Sequence, residues 1–316
     1  MSGAMMVATD EPLSRAIAQI RSARTDAQPS GMVVASFFDE ASSTASHLVH
    51  DPATGRAAVI DSVLDFDPAS GRTGTASADA ILAHARQHGL TIEWLLETHA
   101  HADHLSAAPY LQHQAGGRLG IGRGIVTVQQ AFGKIFNAGT EFARDGSEFD
   151  RLFDDGDSFR VGGIPAAVLH VPGHTPADVA YVISDVVFTG DTLFMPDYGT
   201  ARADVPGGDA RQLYRSIRRL LSLPGETRLF LCHDYKAPGR DRFVWETTVA
   251  AERAGNVHVH DGIGEDEFVS MRTGRDAALA MPKLILPAVQ VNMRAGRLPP
   301  PEANGTRYLK LPIDAL

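Results

Sequence analysis

The 316-residue chain carries a single cysteine, Cys232. One thiol excludes an internal disulfide and a zinc ribbon built from paired Cys-x-x-Cys motifs, and it fits a reducing compartment, so a cytoplasmic location is expected. No apolar run approaches the ~20 residues that span a bilayer. Residues Met1 to Asp10 lack a basic n-region and a sustained apolar core, so no secretory signal is read there. Positive charge is in deficit: 29 Lys and Arg stand against 38 Asp and Glu, a formal net charge of −9. That balance argues against broad, non-specific binding to nucleic acid or to an anionic membrane. No repeat of fixed period and no low-complexity segment is present. The glycines at 116, 117, 120 and 122 do not follow a strand in Gly-x-Gly-x-x-Gly order, which removes a dinucleotide-binding loop.

What is present is histidine and aspartate at the ends of apolar runs. Ile92-Glu93-Trp94-Leu95-Leu96 reads as a strand, and Thr98-His99-Ala100-His101-Ala102-Asp103-His104 follows it. His-x-His alone is a weak signal, because residues two apart share one face of a strand. Asp103 and His104 add two further donors as the chain turns, and the stretch is read as part of a metal centre. The same event recurs three times. Val168-Leu169-His170-Val171 breaks into Pro172-Gly173-His174-Thr175-Pro176. Val186-Val187-Phe188-Thr189 ends in Gly190-Asp191-Thr192, where glycine permits a tight turn beside a carboxylate. Leu229-Phe230-Leu231 ends in Cys232-His233-Asp234. Four strand ends therefore deliver His99, His174, Asp191 and His233 to loops, the usual way α/β proteins assemble a site.

Around these, apolar spacing predicts helices over 11–24, from Ser77 (as cap) through Ala85, over 106–114, from Asp209 (as cap) to Leu221, over 245–254 and over 265–279. A strand meander is expected over 32–60. The other histidines carry blander readings: His47 and His50 on an outer strand face or strand end, His84, His88 and His113 on solvated helix faces, His258 and His260 at the surface. Arg211, Arg215, Arg218 and Arg219 form a solvated helix face. Cys232, last in an apolar strand, is read as a small buried hydrophobe rather than a thiolate.

Taken together in this order, Thr98 to His104, Pro172 to Thr175, Thr189-Gly190-Asp191 and Cys232-His233-Asp234 resemble the motifs of the metallo-β-lactamase superfamily over roughly Met32 to Tyr235. The resemblance implies an αβ/βα sandwich with the site at one edge. It divides the chain into an N-terminal arm and short helix (1–31), a metallo-β-lactamase-like domain (32–240) and a C-terminal extension packed on the same domain (241–316). Two enzymes are compatible with the motifs. A thioesterase of the glyoxalase II kind would hold two Zn(II) per chain with His99, His101, Asp103, His104, His174, Asp191 and His233. A persulfide dioxygenase would hold one Fe(II) with His99, His174 and Asp191 as a facial triad, leaving His101, Asp103, His104 and His233 around it.

Tyr198-Gly199-Thr200-Ala201-Arg202-Ala203-Asp204, Asp234-Tyr235, Thr248 to Arg253 and Val291-Asn292-Met293-Arg294-Ala295-Gly296 are similar to segments of the persulfide dioxygenases. The tail also lacks an obvious helical glutathione domain, so this branch is favoured. It implies glutathione persulfide and O2 as substrates, with sulfite and glutathione as products. Arg202, Tyr235, Arg253 and Arg294 become the groups expected to hold glutathione, and Asp204 either buttresses the metal surroundings or forms an ion pair. Ala177-Asp178 stands where a glycine is common and Ala203 where a larger residue is expected, departures that bear on substrate preference. The dioxygenase reading expects no nucleic acid and no membrane partner and leaves a homodimer open; a metal-holding sensor without turnover is a third reading.

Overall fold

A computed structural model describes residues 10–25 and 31–315; the first nine residues of the expected arm lie outside that range. Two six-stranded sheets dominate. In the first, the strands Val33–Asp39, Thr44–Asp51, Arg56–Ile60, Thr91–Leu96, Arg118–Gly122 and Arg151–Phe153 lie side by side in chain order. The second runs likewise through Ser158–Val161, Ile164–His170, Val179–Ile183, Val186–Phe188, Arg228–Phe230 and Glu246–Thr248. A small third sheet joins Arg72–Gly74, Val63–Asp67 and Leu105–Ser106.

The large sheets face each other across a core of Val49, Ile60, Trp94, Leu96, Val168, Tyr181, Ile183, Phe188 and Phe230. The outer face of the first is covered by the helices Ala76–Gln87, Ala108–Ala115, Ile125–Ile135 and Ile285–Asn292. That of the second is covered by Glu11–Thr25, Ala210–Leu220, Val249–Gly255 and Glu265–Asp276. The result is the expected αβ/βα sandwich. Because both faces of each sheet are covered, Thr44–Asp51 and Val179–Ile183 are buried at every residue and show no polar-apolar alternation.

The helix Ala210–Leu220 forms as its spacing predicts: Asp209 accepts a hydrogen bond from the Gln212 amide, and Leu213, Ile217 and Leu220 are buried. Its arginines do more than face water. Arg219 pairs with Asp10 and Asp155, Arg218 with Asp261, and Arg211 and Arg215 with Glu265.

Several expectations change. Thr75, not Ser77, precedes the second helix, and the Ser77 hydroxyl donates to Asp65. The segment expected as a helix over 245–254 splits into the strand Glu246–Thr248 and the helix Val249–Gly255. His47 is buried rather than on an outer face, because its strand lies between Val33–Asp39 and Arg56–Ile60 in a covered sheet, and His50, at the end of that strand, is buried too. His47 donates or accepts at both ring nitrogens, with Leu231 O at 3.0 Å and Ser36 Oγ at 2.9 Å. His258 is also buried, its Nδ1 accepting from the Thr200 amide at 3.0 Å.

Arg56–Ile60, Thr91–Leu96 and Arg118–Gly122 run parallel in the first sheet, as do Val186–Phe188 and Arg228–Phe230 in the second. Their C-terminal ends open at one edge of the sandwich, where loops from both sheets converge. No helix among the described residues is long and apolar enough to cross a membrane.

Candidate metal centre

Two glycines let the ligand loops close. Gly190, at φ 55°, would place a Cβ 2.6 Å from Thr98 Oγ1, and Gly173, at φ 143°, would place one 2.3 Å from the Leu213 backbone. A side chain at either position would push Asp191 or His174 away from the site.

Each imidazole is tethered by one nitrogen. His174 Nδ1 donates to Arg202 O at 2.8 Å, His104 Nδ1 to Leu105 O at 3.2 Å and His233 Nδ1 to Ser43 O at 3.1 Å. His99 Nδ1 meets Thr98 Oγ1 at 3.1 Å. His101 is reversed, with Nε2 on Asp61 Oδ1 at 3.0 Å. A carbonyl only accepts, so Nδ1 carries the proton in His174 and His104 and Nε2 turns its lone pair to the site.

The free atoms converge. His99 Nε2 and His174 Nε2 lie 3.8 and 3.7 Å from Asp191 Oδ2, too far for hydrogen bonds. His233 Nε2 lies 3.3 Å from Asp191 Oδ1 and 3.0 Å from Asp103 Oδ2. Donor atoms of His99, His174 and Asp191 fall within 4.8 Å of one another, as do those of Asp103, Asp191 and His233, and those of His101, His104, Cys232 and His233. His99 Nε2, His101 Nδ1, His104 Nε2, His233 Nε2, Asp103 Oδ1 and Asp191 Oδ1 are buried without a hydrogen-bond partner. Buried polar atoms are almost always satisfied, so a convergent set of orphans of metal-ligand type fits a cation.

The electrostatics agree with that fit. Burial, and then the neighbouring histidines, hold His99 and His101 well below the usual imidazole range, so both are neutral donors. Burial pushes the Asp191 carboxyl up to about 6. For His233 burial acts downward but is outweighed by the Asp103 and Asp191 carboxylates, which raise it to about 10. Asp103, although burial opposes it, is held well below the carboxylate range by His233. Burial, and then the surrounding carboxylates, push the Cys232 thiol well up, as suits a neutral core residue.

Behind the ligand loop, Asp61 accepts from the Thr98 amide and hydroxyl and holds His101, while Glu97 accepts from Ser106 Oγ at 2.6 Å. Asn292 donates to His101 O and His104 O and accepts from the Ser106 amide, each at 2.8 Å. Sequence reasoning missed these three. Asp61 had a usable signal, since it too ends an apolar strand.

A cavity of about 870 Å³ opens over the cluster, with Asp103, His104, His174 and Asp191 in its wall. Aromatic and aliphatic side chains such as Phe66, Phe194, Tyr198 and Leu284 line it, and Arg72, Arg202, Arg272, Arg275 and Lys283 share its wall with Asp39, Asp65, Asp67, Asp103 and Asp191. Of the groups expected to hold substrate, the structure brings Arg202 and Tyr235 to this cavity. Arg202 forms a two-pronged pair with Asp204 and donates to Ala280 O, so Asp204 takes the ion-pair role. Tyr235 lies parallel to the His233 ring at 5.6 Å, its hydroxyl 3.3 Å from Asp103 Oδ2. Arg253 and Arg294 are elsewhere: Arg253 pairs with Asp261, and Arg294 lies over the Phe142 ring at 4.3 Å near Glu141. These partners hold both away from the mouth, which the sequence similarity of their segments could not show.

The profile of the metallo-beta-lactamase superfamily matches residues 41–233. A probable metallo-hydrolase of Burkholderia pseudomallei strain 1710b is 58% identical over 90% of this chain and 100% of its own length. Glyoxylase B2 of Dictyostelium discoideum is 46% identical over 87% of this chain and 94% of its own. The human mitochondrial persulfide dioxygenase ETHE1 is 30% identical over 82% of this chain and 87% of its own. Among solved structures, ETHE1 from Myxococcus xanthus superposes with a TM-score of 0.67 at 32% identity, covering 84% of this chain and all of that one. With its motifs, its two-sheet sandwich and its convergent His/Asp cluster, the chain belongs to the metallo-β-lactamase superfamily, and within it the ETHE1 likeness points to the persulfide dioxygenase branch.

Proposed function

We propose that the protein is a persulfide dioxygenase that holds one Fe(II) with His99, His174 and Asp191. The observation that carries this reading is a contrast between the two halves of the cluster. The donor atoms of His99 and His174 face Asp191 at 3.8 and 3.7 Å without bonding, a gap suited to an ion, while Asp103 and His233 are in contact at 3.0 Å. Two histidines and one carboxylate leave coordination positions open, the donor set of non-haem iron oxygenases. Bound iron would supply the redox chemistry by which a persulfide, O2 and water become a thiol and sulfite. The chain's own residues do the rest. Arg202 O fixes the His174 tautomer, Asp61 fixes His101, and the Asp103–His233 pair borders the open side with Tyr235 against it. Arg72, Arg275 and Lys283 in the cavity wall suit the carboxylates of an elongated anion such as glutathione persulfide, with its sulfur towards Asp191.

One observation favours a second reading. His101 Nδ1, His104 Nε2, His233 Nε2 and Asp103 Oδ1 are also orphaned, which would suit two Zn(II) and a glutathione thioesterase, and two of the relatives carry hydrolase-like names. Metal analysis after expression with both metals supplied separates the two. About one iron per chain, with oxygen uptake on glutathione persulfide, supports the dioxygenase; two zincs per chain with hydrolysis of a glutathione thioester would sink it.

A further inference from the structure

His174 is tethered by Arg202 O, in a stretch that adjoins no strand or helix, whereas Thr98, Asp61, Ser43 and Leu105, which meet the other cluster rings, each lie in a strand or within two residues of one. Thr200 to Ala203 has no regular structure, yet Arg202 O must sit 2.8 Å from His174 Nδ1. The carbonyl of Arg202 and the amide of Ala203 belong to one peptide plane, and that amide donates to Asp276 Oδ2 at 2.9 Å. Asp276 ends the helix Glu265–Asp276, is buried, and its other oxygen lies 2.6 Å from buried Arg272, which donates to Thr200 O at 3.1 Å. Nothing else joins a carboxylate to a cluster imidazole through a backbone amide among the described hydrogen bonds.

We propose that Asp276 is a positioning residue for the metal centre, acting on His174 through the Arg202–Ala203 peptide. Hydrogen bonds at the two ends of a peptide polarise it in the same sense: a carboxylate accepting from the N–H makes the C=O a stronger acceptor. The stronger acceptor holds the Nδ1 proton, fixes the ring plane and makes Nε2 a better donor. A carboxylate bonded directly to a metal-bound histidine acts this way; here one peptide stands between them. Arg272 holds Asp276 in place and anchors the same loop two residues earlier, so the helix clamps both ends of the short segment. The helix lies beyond residues 41–233, the part of the chain that matches the superfamily profile. His174 belongs to both the one-metal and the two-metal sets, so the inference holds whichever reaction the site performs.

The test compares Asp276→Asn, which keeps the size and removes the charge, with Gln290→Ala, which breaks buried hydrogen bonds from the same C-terminal region to Leu286 and Lys310 and does not touch the cluster. Zinc dissociation constants are measured by chelator competition, and the d–d absorption of the Co(II)-loaded proteins is recorded. The expected result is a roughly 10–100-fold weaker affinity and a shifted cobalt spectrum in D276N, with Q290A like the parent. Parent-like affinity and spectrum in D276N, or equal losses in both variants, would overturn the proposal. Should D276N fail to fold, NMR of the unaltered zinc-loaded protein decides. A His174 Nδ1 proton and an Ala203 amide that both resist solvent exchange support the relay; a rapidly exchanging His174 Nδ1 proton overturns it. None of these readouts depends on which substrate is turned over, so a failure of the dioxygenase reading would leave the outcome interpretable.

Discussion

Asp103 and His233 are the residues on which the number of metals turns. They are in contact at 3.0 Å, and each holds the other charged: His233 is raised to about 10 and Asp103 is drawn well below the carboxylate range. In the one-iron reading this pair borders the site without ligating. Asp103→Asn should then keep about one iron per chain by elemental analysis, while oxygen uptake falls roughly 10-fold or more as the surroundings of the iron loosen. A two-zinc protein should instead lose about one of its two metals, and that stoichiometry would sink the one-iron assignment. The residue types and order at positions 99–104, 174, 191 and 233 made this cluster readable from sequence. The tethers of His174, His101 and His233 did not emerge that way, because Arg202, Asp61 and Ser43 lie 28, 40 and 190 residues along the chain from the rings they hold.

Among the elements, the strand Thr44–Asp51 shows how far patterning reaches. Its composition marked it as a strand, but its histidines read as lying on an outer face or at the strand end. Two covered faces bury His47 instead, and its ring contacts Phe188 and Phe230 and bonds to Leu231 of the opposite sheet. Burial lowers His47 to about 4, against about 6.5 unfolded. Above pH 6.5 the residue is neutral in both states and its contribution is complete. As pH falls from 6.5 towards 4 the unfolded chain gains a proton that the folded chain refuses, so stability is lost by at most about 3 kcal/mol. Urea-unfolding free energies should therefore fall less steeply over that window in His47→Gln than in the parent, and identical slopes would contradict the assignment. The helices were easier to read than this strand, since Leu213, Ile217 and Leu220 mark a single buried stripe whatever lies beyond it.

At the scale of the whole molecule, residues 241–316 reach both helical layers. Val249, Val259 and Phe268 join the core outside the second sheet, and Ile285, Val289 and Met293 the core outside the first. Burying six such side chains at roughly 2 kcal/mol each contributes about 12 kcal/mol, comparable to the whole net stability of a typical domain, about 5–15 kcal/mol. The strand Glu246–Thr248 also closes the free edge of Arg228–Phe230. A chain ending at residue 240 should therefore be insoluble or unfold without cooperativity, as followed by circular dichroism in urea. A soluble 1–240 fragment with a sharp transition and native-like metal binding would show the extension to be dispensable.

The sequence by itself determined that four apolar strands end in metal-ligand side chains, because that depends on residue type and local order, and the resemblance of those motifs to a known superfamily then implied the sandwich. Tertiary structure alone decided which histidines are buried, that Arg253 and Arg294 lie away from the cavity, that Arg272, Arg275 and Lys283 line it, and that Asp276 reaches His174 through a peptide. The physical reason is common to all four. Burial, charge pairing and hydrogen-bond partners are set by what covers a residue from a distant part of the chain, and no local spacing records that cover.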